Sequence, residues 1–181
     1  MIRPWPRIAS QPVFDAGLFS VSKDRARSPR TGAERDVYVV HMADWLMTVP
    51  LTTKGELVLV RQYRHGSRAA SLEIPGGLHD GADERPEEGA ARELAEETGY
   101  AGGVLSLLGE LRPQPALLSN RLRIYLAQGV ERTAAPQPDA GEDIEVVLLD
   151  PAEVPARIAS GEMNNAMTVT ALALARFGGH L

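Results

Sequence analysis

Short apolar runs separated by polar turns fill the first third of the chain, a pattern typical of β-strands. The runs are rich in β-branched and aromatic residues, which favour strands. The polar stretch 25–34 contains Pro29 and Gly32 and predicts an exposed loop. The ranges predicted as strands along the whole chain are 18–21, 37–40, 45–49, 56–60, 104–108, 122–127 and 144–149.

Helical signals occur mainly in the second half of the chain. Pro86 in a first turn and Gly99 just past a last turn bracket a predicted helix over 86–98. Shorter helices are predicted near 151–160 and 166–177. The stretch 74–77 predicts a tight turn, and 133–141, rich in Pro and Ala, predicts a mobile loop. Strands mixed with a few helices indicate a layered α/β or α+β domain.

Composition narrows the class of protein. The 181 residues are 44% hydrophobic and 24% charged, as expected for one globular domain. The net charge of −5 argues against a general nucleic-acid binder. The absence of cysteine excludes disulfides, a thiolate zinc site and a cysteine nucleophile. No apolar stretch approaches the roughly 20 residues of a membrane span, and the N-terminus lacks a signal-peptide pattern. We therefore expect a soluble cytoplasmic protein.

The predicted helix 86–98 carries five glutamates and a single base, Arg92. Glu96 and Glu97 fall in the last turn, where the helix dipole disfavours acids. Glu93 and Glu97 are a like-charge pair four residues apart, which costs a few tenths of a kcal/mol. A hard cation such as Mg²⁺ or Mn²⁺ would turn this repulsion into binding energy. A solvated acidic face is the other interpretation, and the charge pattern alone leaves both open.

The surrounding residues resemble the box of the Nudix hydrolase family, G-x5-E-x7-R-E-U-x-E-E-x-G-U with U apolar. Glu84 is followed by seven residues and then by the segment RELAEETGY at 92–100. Six residues rather than five separate Gly77 from Glu84, which we interpret as a one-residue insertion in 79–83. Tyr100 is less apolar than the usual last residue of the box.

The resemblance implies a Nudix-type α/β/α sandwich with a mixed sheet and additional N-terminal strands. It also implies Mg²⁺-dependent attack of water on phosphorus in a nucleoside diphosphate linked to another group, with Mn²⁺ as a possible substitute. The residues that match the metal ligands of the box are Gly76, through its carbonyl, Glu93 and Glu97. Glu96 matches a further ligand or a base that holds the water, Arg92 matches the arginine that orients the glutamates, and Glu84 supports the loop or an extra metal.

Outside the box, the chain is similar to ADP-ribose pyrophosphatases and nucleoside-diphosphate-sugar hydrolases. The similar segments are 60–64, 72–77 and 164–166, together with Pro115 about 15 residues past the box. Many ADP-ribose enzymes have a glycine and then an acid after this proline, whereas this chain has Ala116 and Asn120. A nucleoside diphosphate linked to a hexose therefore stays possible as the substrate. The substrate-binding residues expected from this similarity are Arg64, Glu73, Pro115 and Asn120.

Several of these side chains also have ordinary structural interpretations. Arg64 is expected to contact a phosphate, because a guanidinium matches phosphate oxygens in a fork, and an ordinary surface position on a strand is the alternative. The resemblance also implies an acid on the late loop that serves as a base or a metal ligand. Glu142 is the first candidate, with Glu145 and Asp139 behind it, and a plain surface acid is the alternative. His65 and His79 fit structural roles, and Trp5 and Trp45 fit either base stacking or packing.

The resemblance also suggests an organisation for the whole chain. Residues 1–35 are expected to form N-terminal strands and a loop, through which two chains form a homodimer. Residues 36–181 are expected to form the Nudix hydrolase domain. The expected partner is a nucleotide-sugar substrate, with no nucleic acid and no membrane. Hydrolysis of another nucleotide, such as a dinucleoside polyphosphate or coenzyme A, is an alternative. A non-catalytic module that senses a nucleotide is a second one, although such modules usually lack the box glutamates.

Overall fold

The computed structural model describes residues 2–79, 81, 83–138, 141 and 143–181. Its contacts group the chain into two compact units. The first comprises the chain up to Asp44 together with Arg112–Arg121, and the second comprises Trp45–Leu111 and Leu122–Leu181. Residues 35 and 36, where the sequence analysis divides the chain, lie in the same strand. The division into residues 1–35 and 36–181 stays a prediction. A dimer built by the N-terminal strands stays a prediction.

The first unit contains a three-stranded antiparallel sheet in the order β1-β2-β3. Its strands are β1 (Arg7–Asp15), β2 (Phe19–Arg27) and β3 (Glu34–Met42). The prediction of a loop over 25–34 is wrong at both ends, because β2 continues to Arg27 and β3 begins at Glu34. The polar residues there form cross-strand ion pairs, Arg25 with Asp36 and Arg27 with Glu34, which stabilise the polar end of this strand pair.

The second unit contains an eight-stranded mixed sheet within the described residues. Its central order is β11-β5-β4-β10-β8, with β6 paired to β5, β7 to β4 and β9 to β10. β4 and β10 run parallel, and the other pairs are antiparallel. The strands are β4 (Trp45–Thr52), β5 (Leu57–Arg64), β6 (Ala69–Glu73), β7 (Gly76–Leu78), β8 (Tyr100–Ala101), β9 (Val104–Leu111), β10 (Leu122–Arg132) and β11 (Ile144–Leu149). The helices are α1 (Pro86–Thr98), α2 (Val154–Ala159), which follows a 3-10 turn at Pro151–Glu153, and α3 (Ala166–Phe177).

Both faces of this sheet are covered by helices, so the predicted α/β/α sandwich is confirmed. Side chains alternate between the faces of a strand, and β5 and β10 show this directly. Leu59 and Leu126 pack in a core cluster that includes residues of α3, whereas Val58 packs in a cluster with Leu94 of α1. Burial on both faces explains why these strands are continuous apolar runs in the sequence.

The sequence pattern failed at the short strands of the second unit. The prediction of a tight turn over 74–77 is wrong, because Gly76 and Gly77 begin β7, which pairs with Met47 and Leu46 of β4. β6 and β8 also carried no prediction. By contrast, the bounds of α1, α3 and β11 are confirmed.

No helix in the described part of the chain is both long and apolar enough to cross a membrane.

Candidate active site

Helix α1 places the carboxylates of Glu93 and Glu97 beside the two glycines of β7. The helix begins at Pro86 and ends at Thr98, and the φ of 72° at the following Gly99 gives the left-handed C-terminal cap that glycine favours. Its apolar side chains Ala90 and Leu94 face the sheet. Glu97 follows Leu94 by three residues, so the helical period carries its side chain toward the buried side.

Glu97 is a buried carboxylate beside a glycine pair. Its side chain belongs to a residue only 4% exposed, and its Oε2 accepts a hydrogen bond of 2.9 Å from the Gly76 N–H. A buried charge is costly unless hydrogen bonds or opposite charge compensate it. The position therefore suits a carboxylate that works with a cation.

Gly76 and Gly77 allow β7 to approach β4 and α1 closely, because neither residue has a side chain. A Cβ at Gly76 would overlap the backbone of Leu46 and Met47. A Cβ at Gly77 would lie 2.6 Å from the carboxylate atoms of Glu93. The Glu93 and Glu97 carboxylates thus reach neighbouring residues of the same short strand.

Arg92 holds three glutamates of this region together. Its Nε donates to Glu84 at 2.9 Å, and its Nη1 donates to Glu93 at 3.0 Å and to Glu96 at 2.9 Å. The hydrogen bond to Glu84 above all, and then that to Glu96, raise the pKa of the Arg92 guanidinium, while burial opposes the shift. Arg92 thus contacts Glu84, Glu93 and Glu96, the last of them as an ordinary pair four residues apart, and its role in orienting the glutamates stays a prediction.

The donor set fits a hard divalent cation. Glu84, Glu93, Glu96 and Glu97 supply only oxygen atoms, the ligand type that Mg²⁺ and Mn²⁺ prefer. Arg92 offsets only part of their charge, and Glu97 is shielded from water. Within the described residues, no three acids or histidines already converge as a finished metal site.

A second polar cluster of the same unit holds Arg64. The guanidinium donates to both carboxylate oxygens of Glu73, at 3.2 and 2.8 Å, and the Arg64 side chain is 44% exposed. Glu73 itself is fully buried, so its carboxylate orients Arg64 and does not face solvent. The Asn165 side chain also donates to Glu73, at 2.7 Å.

Asn165 belongs to this cluster, although the sequence analysis names it only within the similar segment 164–166 and gives it no role. Its side chain accepts hydrogen bonds from the N–H groups of Met167 and Thr168, which makes it the N-cap of α3. An asparagine directly before an apolar helix was the available signal. The contact with Glu73, 92 residues away, required the folded chain.

Replacing Asn165 by aspartate is expected to weaken substrate binding. Aspartate keeps the N-cap, because both side chains cap helices well. The aspartate side chain cannot donate a hydrogen bond to Glu73, and it places a second carboxylate beside that of Glu73. The repulsion between the two carboxylates disturbs the position of Arg64. We expect KM to rise about tenfold, the scale of lost supporting contacts, with kcat changed less. Steady-state kinetics of Asn165→Asp, compared with Asn165→Ser, which also keeps the N-cap, would check this prediction. An unchanged KM in Asn165→Asp would contradict it.

Other predicted site residues lie elsewhere or outside the described part. Glu142 and Asp139 lie outside the described residues. Glu145 is ion-paired with Arg61 at 2.7 Å. A ring nitrogen of His79 is 2.7 Å from the Glu84 carbonyl oxygen, which favours the structural interpretation of this histidine.

Pro115 and Asn120 belong to the first unit. Pro115 is exposed, whereas Asn120 is only 3% exposed and its Nδ2 donates to the Ala43 carbonyl at 3.2 Å. The Asn120 Oδ1 has no hydrogen-bond partner among the described residues. Trp45 packs against the main core, and His65 makes an edge contact with the ring of Tyr63.

Comparisons with known proteins agree with this geometry. The family model described as NUDIX domain matches residues 41–167. An ADP-ribose pyrophosphatase of Mycobacterium tuberculosis is 30% identical, over 90% of this chain and 78% of that protein. An ADP-ribose pyrophosphatase of Bacillus subtilis is 25% identical, over 91% of this chain and 89% of that protein. A GDP-mannose pyrophosphatase of Pectobacterium atrosepticum is 33% identical, over 66% of this chain and 65% of that protein.

The fold is also found among solved structures. A crystal structure of an ADP compounds hydrolase superposes with a TM-score of 0.85 at 24% identity, covering 100% of this chain and 99% of that one. At this identity the likeness concerns the fold.

Proposed function

Because this chain belongs to the Nudix hydrolase family, we propose that it hydrolyses the pyrophosphate bond of ADP-ribose or a related nucleoside diphosphate sugar. The products would be a nucleoside monophosphate and a sugar phosphate. The observation that carries the proposal is the pair of carboxylates, Glu93 and Glu97, held against Gly76–Gly77. The names of the relatives support this substrate class.

We propose that Glu93, Glu97 and the Gly76 carbonyl hold the divalent cation, with Mg²⁺ as the resident ion. When bound, such a cation neutralises pyrophosphate charge and lowers the pKa of a bound water. Arg92 keeps Glu93 and Glu96 in place through its hydrogen bonds. Its raised pKa keeps the guanidinium charged throughout the working pH range.

The reaction forms a bond between the water oxygen and phosphorus and breaks the bond between phosphorus and the bridging oxygen. The proton of the water needs a base, and we propose Glu96 or Glu142 for this role. Glu96 is 47% exposed, which leaves its carboxylate accessible to water. Arg64, fixed by Glu73 and Asn165, is proposed to contact a phosphate of the substrate.

We further propose that the protein acts as a homodimer in the cytoplasm. The N-terminal strands are the proposed dimer-forming element. Sedimentation at several concentrations would check this, with a dimer as the expected result and a monomer at all concentrations contradicting it.

A substrate panel tests the proposed reaction. Phosphate release, after coupling to a phosphatase, would be measured for ADP-ribose, GDP-mannose, other nucleotide sugars and diadenosine polyphosphates. We expect cleavage of a nucleotide sugar with Mg²⁺ and its loss in EDTA, because the acidic cluster then lacks its cation. Cleavage of polyphosphates alone would contradict the substrate class. Nucleotide binding in calorimetry without cleavage under Mg²⁺ or Mn²⁺ would favour a sensing module.

A further inference from the structure

The first unit contains a cavity of about 470 Å³ that the proposed reaction does not use. It is lined by residues near the N-terminus and by the connection between β2 and β3. Ligand pockets in proteins span roughly 300–1,000 Å³, so the size suits a small organic molecule. The lining includes one indole, Trp5, and the arginines Arg3, Arg30 and Arg35.

The three arginines of the lining carry charge that no ion pair compensates among the residues described by the structure. Within the described part of the chain, no ion pair joins Arg3, Arg30 or Arg35 to an acid. The acid that lines the cavity, Glu34, is already bound by Arg27, at 2.7 Å. Asp36 is likewise occupied by Arg25 and Lys23.

The local charge also differs from that of the whole chain. Residues 1–44 contain seven bases and five acids, whereas the complete chain has a net charge of −5. A local excess of positive charge in an acidic protein raises the local concentration of anions. The cavity, whose lining holds three arginines and one acid, therefore favours an anionic ligand.

Hydrogen bonds hold the wall of the cavity in place. Ser28 is only 6% exposed, and its hydroxyl accepts hydrogen bonds from the N–H groups of Arg30 and Thr31, both at 3.3 Å. The Ser28 N–H donates to the Ala33 carbonyl at 2.8 Å. The Arg27 N–H donates to the Pro6 carbonyl at 3.1 Å, which ties the strand to the segment that carries Trp5.

We propose that this cavity binds a nucleoside 5′-phosphate. A guanidinium matches phosphate oxygens in a fork, and an indole provides a face on which a base stacks. Trp5 is 46% exposed, so part of its ring surface is accessible. The site lies within the first unit and is additional to the acidic cluster of α1.

Calorimetric titration of the intact chain with AMP in EDTA, where hydrolysis does not proceed, tests the proposal. Arg3→Gln/Arg30→Gln is expected to weaken AMP binding by about tenfold or more, because charge-assisted hydrogen bonds are lost. Arg132→Gln, which removes an exposed arginine of β10 outside the cavity, is the matched control and should bind like wild type. Trp5→Ala should weaken binding and Trp5→Phe should restore most of it. Adenosine and inorganic phosphate should each bind more weakly than AMP.

The AMP affinities of these variants distinguish binding in the cavity from binding elsewhere. Equal AMP affinity in wild type and Arg3→Gln/Arg30→Gln would overturn it, because the nucleotide would then sit only in the catalytic cluster. Absence of binding up to millimolar AMP would overturn it as well. A shift from dimer to monomer in the double variant, without any effect of AMP, would assign the cavity to a contact between copies instead. None of these results depends on turnover, so failure of the proposed hydrolysis would show separately.

Discussion

Replacing Glu97 by glutamine is expected to reduce turnover of the nucleotide sugar by roughly a hundredfold or more, since even groups that only support metal ligands are worth 10–100-fold. The amide is isosteric with the carboxylate and still accepts the hydrogen bond from the Gly76 N–H. It removes one negative charge from the group beside β7 and relieves the repulsion with Glu93. We therefore expect a folded protein, equally or slightly more stable, that has lost its cation-dependent activity.

Glu88→Gln is the matched control for this variant. Glu88 lies on the same helix, but its carboxylate binds Arg85 at the N-terminal end. Its activity should stay near that of wild type. Thermal unfolding would confirm that both variants fold, and full activity in Glu97→Gln would refute the metal assignment.

Replacing Gly77 by alanine is expected to keep the fold and to reduce activity by roughly a hundredfold, the usual effect of a shift of about 1 Å in a catalytic group. The new Cβ would lie 2.6 Å from the Glu93 carboxylate. This carboxylate is the far end of a flexible side chain, so it moves aside at little cost to stability. Glu93 then leaves its place next to Glu97.

Gly76→Ala provides the contrast one residue earlier. Here the Cβ would meet the backbone of Leu46 and Met47, which cannot move without breaking the pairing of β7 with β4. Overpacking of this kind costs about 1–3 kcal/mol or more in the free energy of unfolding. Thermal unfolding and kinetics on both variants would check the pair of predictions. A Gly77→Ala variant with wild-type activity would remove Glu93 from the site.

The long elements could be predicted because their local signals agree with their environment. Pro86 and Gly99 bound α1, and both act at the helix ends as expected. The continuous apolar runs of β5 and β10 reflect burial on both faces of the sheet. Here local preference and tertiary packing point to the same structure.

β1 and β7 could not be predicted, because neither has a hydrophobic period. Every residue of β1 is exposed, and the strand includes Pro12, so it shows no buried face. β7 begins with two glycines, which normally indicate a turn, yet close approach to β4 and to Glu93 requires them. Such positions are decided by contacts across the fold.

Some contacts of the candidate site could also be predicted from the sequence, and others could not. The spacing of Glu93, Glu96 and Glu97 along α1 could be read from the sequence, and so could the pairing of Arg92 with Glu96. The fork between Arg64 and the buried Glu73, and its support by Asn165, join residues that the chain alone does not bring together.

A ³¹P NMR time course of ADP-ribose with Mg²⁺, run with the wild-type protein and repeated with Glu97→Gln, tests both the cleavage of a nucleotide sugar at its pyrophosphate and the part that the acidic cluster of α1 takes in it. We predict that the two diphosphate signals give way to two phosphomonoester signals, those of AMP and ribose phosphate, with wild type alone. Persistence of the diphosphate signals with wild type, or equal rates for the two proteins, would contradict the account.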